Sequence, residues 1–468
     1  MTQSADIASA LETHHIDPVP TTERTGSARD LFAVWFSANL NVGNAVFGLV
    51  ILTIVPNFWI ALIATLVGNV IGTALMALHS VQGARLGIPQ LIQSRGQFGY
   101  NGALIPVIAA FLMYAGLTAS VTIIGGQALA ASTGLALPVA MSIVAVVSLL
   151  IAVVGYHAIH AVCRWAQIPL TAILLIVIVA AFLRDGAPVT TSQDVSVGAF
   201  LTGTGVAVTF ALTYAPFVSD YSRYLPEDTS GPAIFGWTAA GVFLSATGVC
   251  ALGLLLTAKF GFGDIFQSAD AALGGGLLGS VVLAATAAGL AVTNVLNIYG
   301  GMLNLVTGLS TFVRVPASLR TRVLMMMPTF VLGTAAATIA YQSYAQNLQA
   351  FLSVLLLLLT PWGAVNLVDY YVVQHGSYNV SAMYAKAGPY WRDPVSWTYY
   401  GLNLKVLIAY FAGVATGIPF MTSAWFTGSF SAALGGADVS WIPGLVVTAG
   451  VYLVLARTRP VTPTTVNR

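Results

Sequence analysis

The chain has 468 residues, of which 57% are hydrophobic and only 7% are charged. Soluble domains average about 25% charged residues, so this composition excludes an ordinary soluble protein and predicts an all-α polytopic membrane protein. The formal net charge of +2 is too small to indicate nucleic-acid binding. The two cysteines, Cys163 and Cys250, are far apart in sequence and show neither a metal-ligand spacing nor a disulfide framework.

Twelve apolar stretches are long enough to cross a hydrocarbon core of about 30 Å as helices. They lie at 31–54, 58–79, 104–129, 136–154, 165–183, 197–218, 233–258, 277–304, 323–341, 348–373, 401–420 and 440–456. The first 28 residues contain several charges and no apolar run. This predicts a disordered cytoplasmic tail rather than a cleaved signal peptide.

The basic residues predict the orientation of these spans. With a cytoplasmic N-terminus, fourteen of them fall in cytoplasmic tails and loops, against two, Arg184 and Lys259, on the opposite side. Lys405 lies just inside the eleventh span. Because cytoplasmic loops are enriched in Lys and Arg, we expect both termini inside, in a plasma or inner membrane.

The first span contains three asparagines within six residues, Asn39, Asn41 and Asn44. An amide left unpaired in lipid is costly. Because helical neighbours are about 100° apart, Asn39 and Asn41 would point to nearly opposite faces of a helix. One of them would face lipid unless the helix breaks here and lines a cavity. Broken helices with polar groups at mid-membrane are typical of transport sites, so we expect Asn39 and Asn41 to contact a substrate.

The sixth span is also interrupted, since Pro216 removes a backbone donor just after Thr213 and Tyr214, and Gly203 and Gly205 loosen the helix earlier. Breaks in spans one and six fit a five-plus-five inverted repeat, although Pro and Gly also serve packing in membrane helices. The predicted segments are a tail (1–28), a first repeat (29–183), a second repeat (197–373), a cytoplasmic loop (374–400), helices eleven and twelve (401–456) and a second tail (457–468).

The eighth span carries a polar stripe. Asn294, Asn297, Gly301 and Asn304 project within about 80° of one another on a helix. Such a stripe either contacts a substrate or forms a seam in which small residues let helices approach closely. We expect packing for Asn304, and for Asn294 both roles stay open. In the third span, Tyr114 is a candidate aromatic wall, although a lone tyrosine more often packs in the core.

The sequence contains no nucleophile–base pair, phosphate-binding loop or metal-ligand cluster, and no Asp or Glu lies at the middle of a predicted span. An enzyme is therefore not indicated and no cofactor is expected. A mid-membrane carboxylate relay, common in proton pumps, is not visible, so proton coupling would have to use a group nearer a helix end. The expected partners are a small-molecule substrate and the lipid bilayer.

Five motifs in chain order resemble the nucleobase–cation symporter-1 family, the permeases for cytosine and purines, uracil, thiamine and allantoin. They are Trp35-Phe36-Ser37-Ala38-Asn39-Leu40-Asn41, Gly87-Ile88-Pro89-Gln90 with Ser94-Arg95-Gly96-Gln97-Phe98-Gly99, Ser219-Asp220-Tyr221-Ser222-Arg223-Tyr224-Leu225-Pro226, Asn294 to Gly301, and Asp369-Tyr370-Tyr371. The chain looks most similar to bacterial purine–cytosine permeases. This resemblance implies a leucine-transporter-like fold of twelve transmembrane helices, with a five-plus-five inverted repeat, broken helices one and six, and two C-terminal helices.

The resemblance also implies a site between helices one, three, six and eight. A planar heterocycle would stack on aromatic rings there and be read by amide side chains. Asn41 and Asn294 match substrate contacts of the family. Thr213 and Tyr214 fall in the unwound part of helix six.

A candidate sodium site follows from the same resemblance. Ser37 and Leu40 match positions whose backbone carbonyls bind the ion in sodium-coupled relatives, and Gly289 and Thr293 match the contributing positions of helix eight. Val292 stands where those relatives have a serine, so one hydroxyl ligand is missing. The coupling ion is therefore left open between Na⁺ and H⁺.

One further difference concerns the substrate. Family members often have a tryptophan just after a glycine of helix three, whereas here Leu117 follows Gly116 and Tyr114 is its candidate replacement. We therefore predict a secondary active symporter that takes up a purine or cytosine by alternating access, coupled to a cation gradient. Because Leu117 stands in place of the tryptophan, a permease for another ring compound, such as allantoin, a hydantoin or a thiamine-like vitamin, stays an alternative. Because the candidate sodium site lacks one hydroxyl ligand, a passive channel or a receptor also stays an alternative.

Overall fold

The computed structural model describes residues 16–154, 156–187, 193–261, 264–316 and 318–457. Most of the two predicted tails, residues 1–15 and 458–468, lies outside these ranges. The described chain is mostly helical. Its strands are the two-residue β1 (Thr398–Tyr399), in the loop predicted at 374–400, and β2 (Leu402–Asn403), at the start of the stretch predicted at 401–420, and the two pair antiparallel. The all-α fold class is confirmed.

The helices follow one another in the order of the predicted spans. They are α1 (Ala28–Ala38), α2 (Val46–Ile54), α3 (Phe58–Leu86), α4 (Gln90–Phe98), α5 (Leu104–Thr133), α6 (Leu137–Val154), α7 (Tyr156–Leu183), α8 (Val197–Leu212), α9 (Val218–Ser222), α10 (Gly231–Phe260), α11 (Ile265–Leu273), α12 (Gly276–Leu309), α13 (Leu319–Ala340), α14 (Tyr344–Val368), α15 (Leu404–Gly417), α16 (Ser429–Ala433) and α17 (Trp441–Ala456).

Every one of the twelve predicted stretches contains a helix. In the described ranges, six helical stretches are long and apolar enough to cross a membrane, or seven if the bent pair α1 and α2 counts as one span. One of the six, Leu319–Val373, contains both α13 and α14. In addition to the six stretches, the described ranges contain four shorter apolar helices. The number of twelve spans stays a prediction.

Glycines set the distance between the helices that surround the two breaks. A Cβ at Gly72 of α3 would lie 2.5 Å from the carbonyl oxygen of Val208 in α8. Gly48 of α2 and Gly253 of α10 face each other, and a Cβ at Gly253 would overlap the carbonyl oxygen of Ala45. Backbones approach this closely only where no side chain intervenes. The second half of the first span, α2, therefore packs directly against α10.

Residues 16–27, the described part of the tail predicted at 1–28, contact the end of α3. The amide of Val19, which is only 1% exposed, donates to the carbonyl oxygen of Gly87 at 2.9 Å. The Arg24 guanidinium donates to the carbonyl oxygens of Val19 at 2.9 Å and of Ala84 at 3.1 Å. These bonds use backbone groups that the end of α3 leaves without helical partners, and the disordered tail stays a prediction.

The close contact of α2 with α10 predicts that Gly253→Ala destabilises the protein, because its methyl group would overlap the backbone at Ala45. Overpacking of this kind costs about 1–3 kcal/mol. Gly248→Ala on the same helix is the control, since nothing lies within 4 Å of its Cβ position. Thermal unfolding in detergent should give a lower Tm for Gly253→Ala alone; equal Tm values would contradict the contact.

Candidate functional site

The first predicted span is broken at its asparagines. Helix α1 ends at Ala38, a 3-10 turn covers Val42–Ala45, and α1 and the segment Val42–Ile54 are bent by 73°. The Asn41 side-chain oxygen accepts a hydrogen bond from the amide of Gly43 at 2.7 Å, and Asn44 Nδ2 donates to the carbonyl oxygen of Asn39 at 3.3 Å. Two of the three asparagines therefore satisfy backbone groups that the break leaves without helical partners.

Asn39 is fully buried and joins the break to two other helices. Its Oδ1 accepts from the hydroxyl of Tyr214 at 2.5 Å, and its Nδ2 donates to the Ser245 hydroxyl of α10 at 3.0 Å. Its amide group is thus used inside the protein. These bonds hold Asn39 beside the break, and its contact with a substrate stays a prediction.

The sixth predicted span is interrupted more gently than the first. Helix α8 ends at Leu212, Thr213 and Tyr214 form a turn, Ala215–Phe217 make a 3-10 turn, and α9 follows. The hydroxyl of Thr213 donates to the carbonyl oxygen of Phe210 at 2.7 Å. Tyr214 therefore leaves the helix at the interruption and reaches Asn39 at the other break.

Aromatic side chains gather around this junction. The ring of Trp35, which is 1% exposed, lies 5.6 Å from that of Tyr214 and 6.1 Å from that of Phe217. Tyr114 of α5 lies 5.9 Å from Phe217, and a Cβ at Gly300 of α12 would be 2.5 Å from its ring. Helices one, three, six and eight of the predicted site therefore meet here.

Three aromatic residues of this region were not singled out by the sequence analysis. Trp35 and Phe217 contact Tyr214, as described above. Phe351 of α14 lies against Gly116, where a side chain would overlap its ring. An aromatic face thus stands beside Gly116 although Leu117 replaces the tryptophan of the family. Phe351 carries no sequence signal of its own, because aromatic residues make up 10% of the chain.

Helix α12 supplies the amides of the predicted stripe. Asn294 is fully buried, and its Nδ2 donates to the hydroxyl of Thr122 in α5 at 3.1 Å. Asn297 is half-buried. Gly301 packs directly on Thr329 of α13, and Asn304 is 2% exposed. The stripe thus serves as a helix seam at Gly301, while Asn294 faces α5.

Several polar atoms around this junction, Nε1 of Trp35 among them, are buried without a hydrogen-bond partner among the described residues, and two of them belong to amides of the predicted site. They are Nδ2 of Asn41, a donor, and Oδ1 of Asn294, an acceptor. The two helices are in contact, since a Cβ at Gly43 would lie 2.7 Å from Leu290 of α12 and 3.0 Å from Ile124 of α5. A buried polar atom without a partner is costly, so these two atoms call for a ligand that accepts from one and donates to the other.

Oxygen atoms of the candidate sodium site already take part in hydrogen bonds within the protein. The carbonyl oxygen of Ser37 accepts from the amide of Leu40 at 3.2 Å, and the hydroxyl of Thr293 donates to the carbonyl oxygen of Gly289 at 3.1 Å. Val292 contributes no oxygen from its side chain. The backbone carbonyls keep a second lone pair each, so the set offers fewer oxygens than a hard cation prefers.

One end of the helix bundle is open, at the side that bears α11. A cavity of about 380 Å³ lies between α2, α5, α11 and the junction of α13 with α14. Its polar lining includes Gln127, Asp264, Gln342, Tyr344 and Gln346. Burial raises the pKa of the Asp264 carboxyl, which caps α11 by accepting from the amide of Phe266 at 2.7 Å. The cavity is large enough to admit a small ring compound.

The opposite end is closed by α4, whose residues are all buried. The side-chain oxygen of Gln90 accepts from the Ser219 hydroxyl at 2.5 Å, and its backbone amide donates to Asp220 at 2.9 Å. Gln97 accepts from Asn366 of α14 at 3.3 Å. Two of the family motifs thus meet in one polar seal between α4 and the end of the sixth span, and Asn366 of α14 joins it.

Arg95 of α4 extends the seal to α12. Its guanidinium, 2% exposed, donates to the Ser310 hydroxyl at 2.9 Å and to the carbonyl oxygen of Met383 at 3.0 Å. Burial lowers the pKa of Arg95, although nearby tyrosines offset part of this effect. The positive charge of Arg95 is stabilised because it lies in the last turn of α4, at the negative end of the helix dipole.

A broken first span, a cavity at one end and a seal at the other define a polytopic membrane transport protein. The sequence profile of a family described as "Permease for cytosine/purines, uracil, thiamine, allantoin" matches residues 18–444. The chain belongs to this permease family and is not an enzyme.

Relatives and solved structures agree with this assignment. A putative purine-cytosine permease of Bacillus subtilis is 32% identical over 454 residues, covering 96% of each chain. A purine-cytosine permease of Emericella nidulans is 27% identical over 469 residues, covering 95% of this chain and 88% of its own. The fold matches a nucleobase-cation-symport-1 family transporter in a closed conformation with bromovinylhydantoin bound, at TM-score 0.71, 18% identity and 97% and 98% coverage. An inward-facing structure of the same transporter gives TM-score 0.74, 17% identity and 96% and 94% coverage. The predicted leucine-transporter-like fold is confirmed.

The bond between the two breaks predicts that Tyr214→Phe destabilises the protein. Without the hydroxyl, Asn39 Oδ1 is left buried and unpaired, which costs about 1–3 kcal/mol. Tyr400→Phe, at a side chain that is 78% exposed, is the control. A lower Tm for Tyr214→Phe alone is expected, and a variant as stable as the wild type would show that this bond does not hold the breaks together.

Proposed function

We propose that this permease is a secondary active symporter that takes up a purine or cytosine, or a similar planar heterocycle, by alternating access coupled to a cation gradient. The observation that carries the proposal is the pair of unpartnered atoms, Asn41 Nδ2 and Asn294 Oδ1. A nucleobase edge presents acceptors and donors side by side, so it pairs with one free donor and one free acceptor.

The aromatic residues support a planar ligand. Trp35, Tyr214 and Phe217 lie at one side of the junction, Tyr114 is packed against Phe217, and Phe351 lies beside Gly116. Offset stacking on such rings adds about 0.5–1.5 kcal/mol beyond the burial of surface. The named relatives are purine-cytosine permeases, which favours nucleobases over other ring compounds.

The ends of the bundle support alternating access. If the charge bias of the loops sets the orientation, the end with α11 is extracellular, both termini are cytoplasmic, and the conformation is open to the outside. The α4 seal then closes the cytoplasmic side, and inward opening requires the bonds of Gln90 to Ser219 and Asp220 to break. As the family resemblance implies, helices one, two, six and seven rock against the rest of the bundle around the site.

Asn294→Ala tests the site directly. We expect it to abolish uptake of labelled adenine and cytosine into proteoliposomes, because the ligand loses the unpartnered acceptor Asn294 Oδ1. Asn304→Ala is the matched control, a buried amide on the same helix near its end. Membrane insertion should be retained in both, and because each variant removes a buried amide, Tm should fall by a similar small amount in both. Unchanged uptake by Asn294→Ala would remove the proposed site.

The substrate class needs a separate test, because Leu117 stands where the family often has tryptophan and the fold match was solved with a hydantoin. A thermal-shift screen of adenine, hypoxanthine, cytosine, allantoin and benzylhydantoin should show stabilisation by the nucleobases. Stabilisation by the ureides alone would favour the alternative permease. Counterflow of labelled adenine excludes a channel or receptor if accumulation is observed.

The missing hydroxyl at Val292 predicts how uptake depends on sodium. Replacing Na⁺ by choline should change wild-type uptake little, because Val292 supplies no oxygen ligand. Val292→Ser adds a hydroxyl beside Thr293 and should increase sodium dependence, while Val295→Ser, three residues along the same helix, serves as the control. Strong sodium dependence of the wild type would contradict the weakened site.

A further inference from the structure

A buried carboxylate outside the central site lies at the end of the bundle that bears α11. Asp438, in the loop between α16 and α17, is 4% exposed. Its Oδ1 accepts from the backbone amide and the hydroxyl of Ser440 at 3.1 and 2.7 Å, and its own amide donates to the Thr202 hydroxyl of α8 at 2.9 Å. Its Oδ2 has no hydrogen-bond partner within the described part of the chain.

Asp369 shows how the same protein stabilises a buried carboxylate. It is 1% exposed, and its two oxygens accept from the hydroxyls of Tyr378 and Tyr452, both at 2.5 Å. Each oxygen therefore has a strong donor, as a buried charge requires. Asp438 has donors on one oxygen only.

The space in front of Asp438 Oδ2 offers oxygen atoms whose hydrogens are already used. It is a crevice of about 10 Å³, lined by Thr202, Thr209 and Ser353 among others. The three hydroxyls donate to the carbonyl oxygens of Gly198, Gly205 and Thr422 at 2.9, 2.8 and 3.1 Å. An O–H on the Asp438 carboxyl can donate to one of these oxygens, whereas Ser353 and the backbone of Thr422 favour the charged form and offset part of the effect of burial.

No cation from the surrounding elements balances the charge. Helix α8 contains no titratable residue, and the segment 418–440 contains none besides Asp438. Helices α14 and α17 each carry one tyrosine, Tyr344 and Tyr452, which bond to Ser120 and Asp369. Burial raises the pKa of the Asp438 carboxyl, and the neighbouring hydroxyl and backbone donors lower it by less.

The crevice suits a proton better than a metal ion. Its volume is close to the minimum for one water molecule, about 10–15 Å³, whereas hard cations require several oxygens around them. The indole N–H of Trp441 lies near Gly205 of the same crevice and lacks an acceptor in the described ranges. A donor at this position is unfavourable beside a metal ion, and it does not reach Asp438 Oδ2, which has no hydrogen-bond partner in the described ranges.

We propose that Asp438 is a proton-binding site, separate from the substrate site, that makes the carrier sensitive to the pH on the side of α11. The protonated carboxyl holds the loop before α17 against α8 through the crevice, which runs along α8 to Thr209, one turn before the break at Thr213. Loss of the proton places an unpaired charge there and loosens this packing. The proposal does not depend on which heterocycle is carried.

The sign of the effect on stability follows from proton linkage. The folded protein binds the proton more tightly than the unfolded chain does, so stability is full below the ordinary pKa of aspartate and falls as pH rises through the raised value. One pKa unit corresponds to a fall in Tm of roughly 2 °C in a protein of this size.

Asp438→Asn tests the proposal, because the amide reproduces the neutral side chain. We expect the Tm of the wild type in lipid nanodiscs to fall by at least this amount between pH 4.5 and pH 8, and the fall to be lost in Asp438→Asn. Asp194→Asn, at an exposed carboxylate that precedes α8, should keep the wild-type profile, and Asp438→Glu should restore most of it.

A second measurement uses the exchange of labelled adenine at equal pH on both sides of proteoliposomes, where no proton gradient drives transport. The exchange rate of the wild type should change with pH over the same interval, and that of Asp438→Asn should not. Identical Tm profiles of the wild type and Asp438→Asn would overturn the proposal, whatever substrate is carried. An unfolded Asp438→Asn would overturn it as well, since the neutral isostere should be tolerated.

Discussion

The structure depends on how the backbone is satisfied where the first span breaks. Inside a bilayer each unpaired amide or carbonyl costs on the order of several kcal/mol. A break therefore persists only if side chains replace the lost helical hydrogen bonds. Asn41 and Asn44 do this by bonding to Gly43 and to the carbonyl oxygen of Asn39. Asn39 then ties the break to Tyr214 and Ser245. The remaining amide hydrogens of Asn41 are what the break leaves free for a ligand.

This constraint links the centre of the molecule to its two ends. The break turns α2 away from α1, and the glycine contact of Gly48 with Gly253 holds α2 against α10, beside the cavity of about 380 Å³. At the other end, α4 bonds to the segment that follows the interruption of the sixth span. A movement at either break is therefore transmitted to the opening on one side or to the seal on the other.

The sequence was sufficient for the class of protein, the helices and the position of both breaks, because these follow from local composition and from amides in an apolar span. It was insufficient for the roles of individual amides. Asn39 stays a predicted substrate contact, and its bonds to Tyr214 and Ser245 were not foreseen, because these partners lie 175 and 206 positions away in sequence and no local pattern identifies them. Trp35, Phe217 and Phe351 were not singled out because an aromatic residue in a membrane helix is ordinary until its neighbours are known. Asp438 lies near a helix end, where a carboxylate is normally hydrated, and only its burial distinguishes it.

The central claim is that a free donor on Asn41 and a free acceptor on Asn294 read one edge of the substrate. The most direct measurement is a double-mutant cycle of dissociation constants, with Asn41→Ser on the protein side and deaza-adenine analogues, each lacking one ring nitrogen, on the ligand side. Serine keeps an acceptor for the Gly43 amide and removes the amide donor. We predict that for one analogue the two changes are strongly non-additive, so that the second costs little once the first is made. Additive losses for every analogue would contradict the claim.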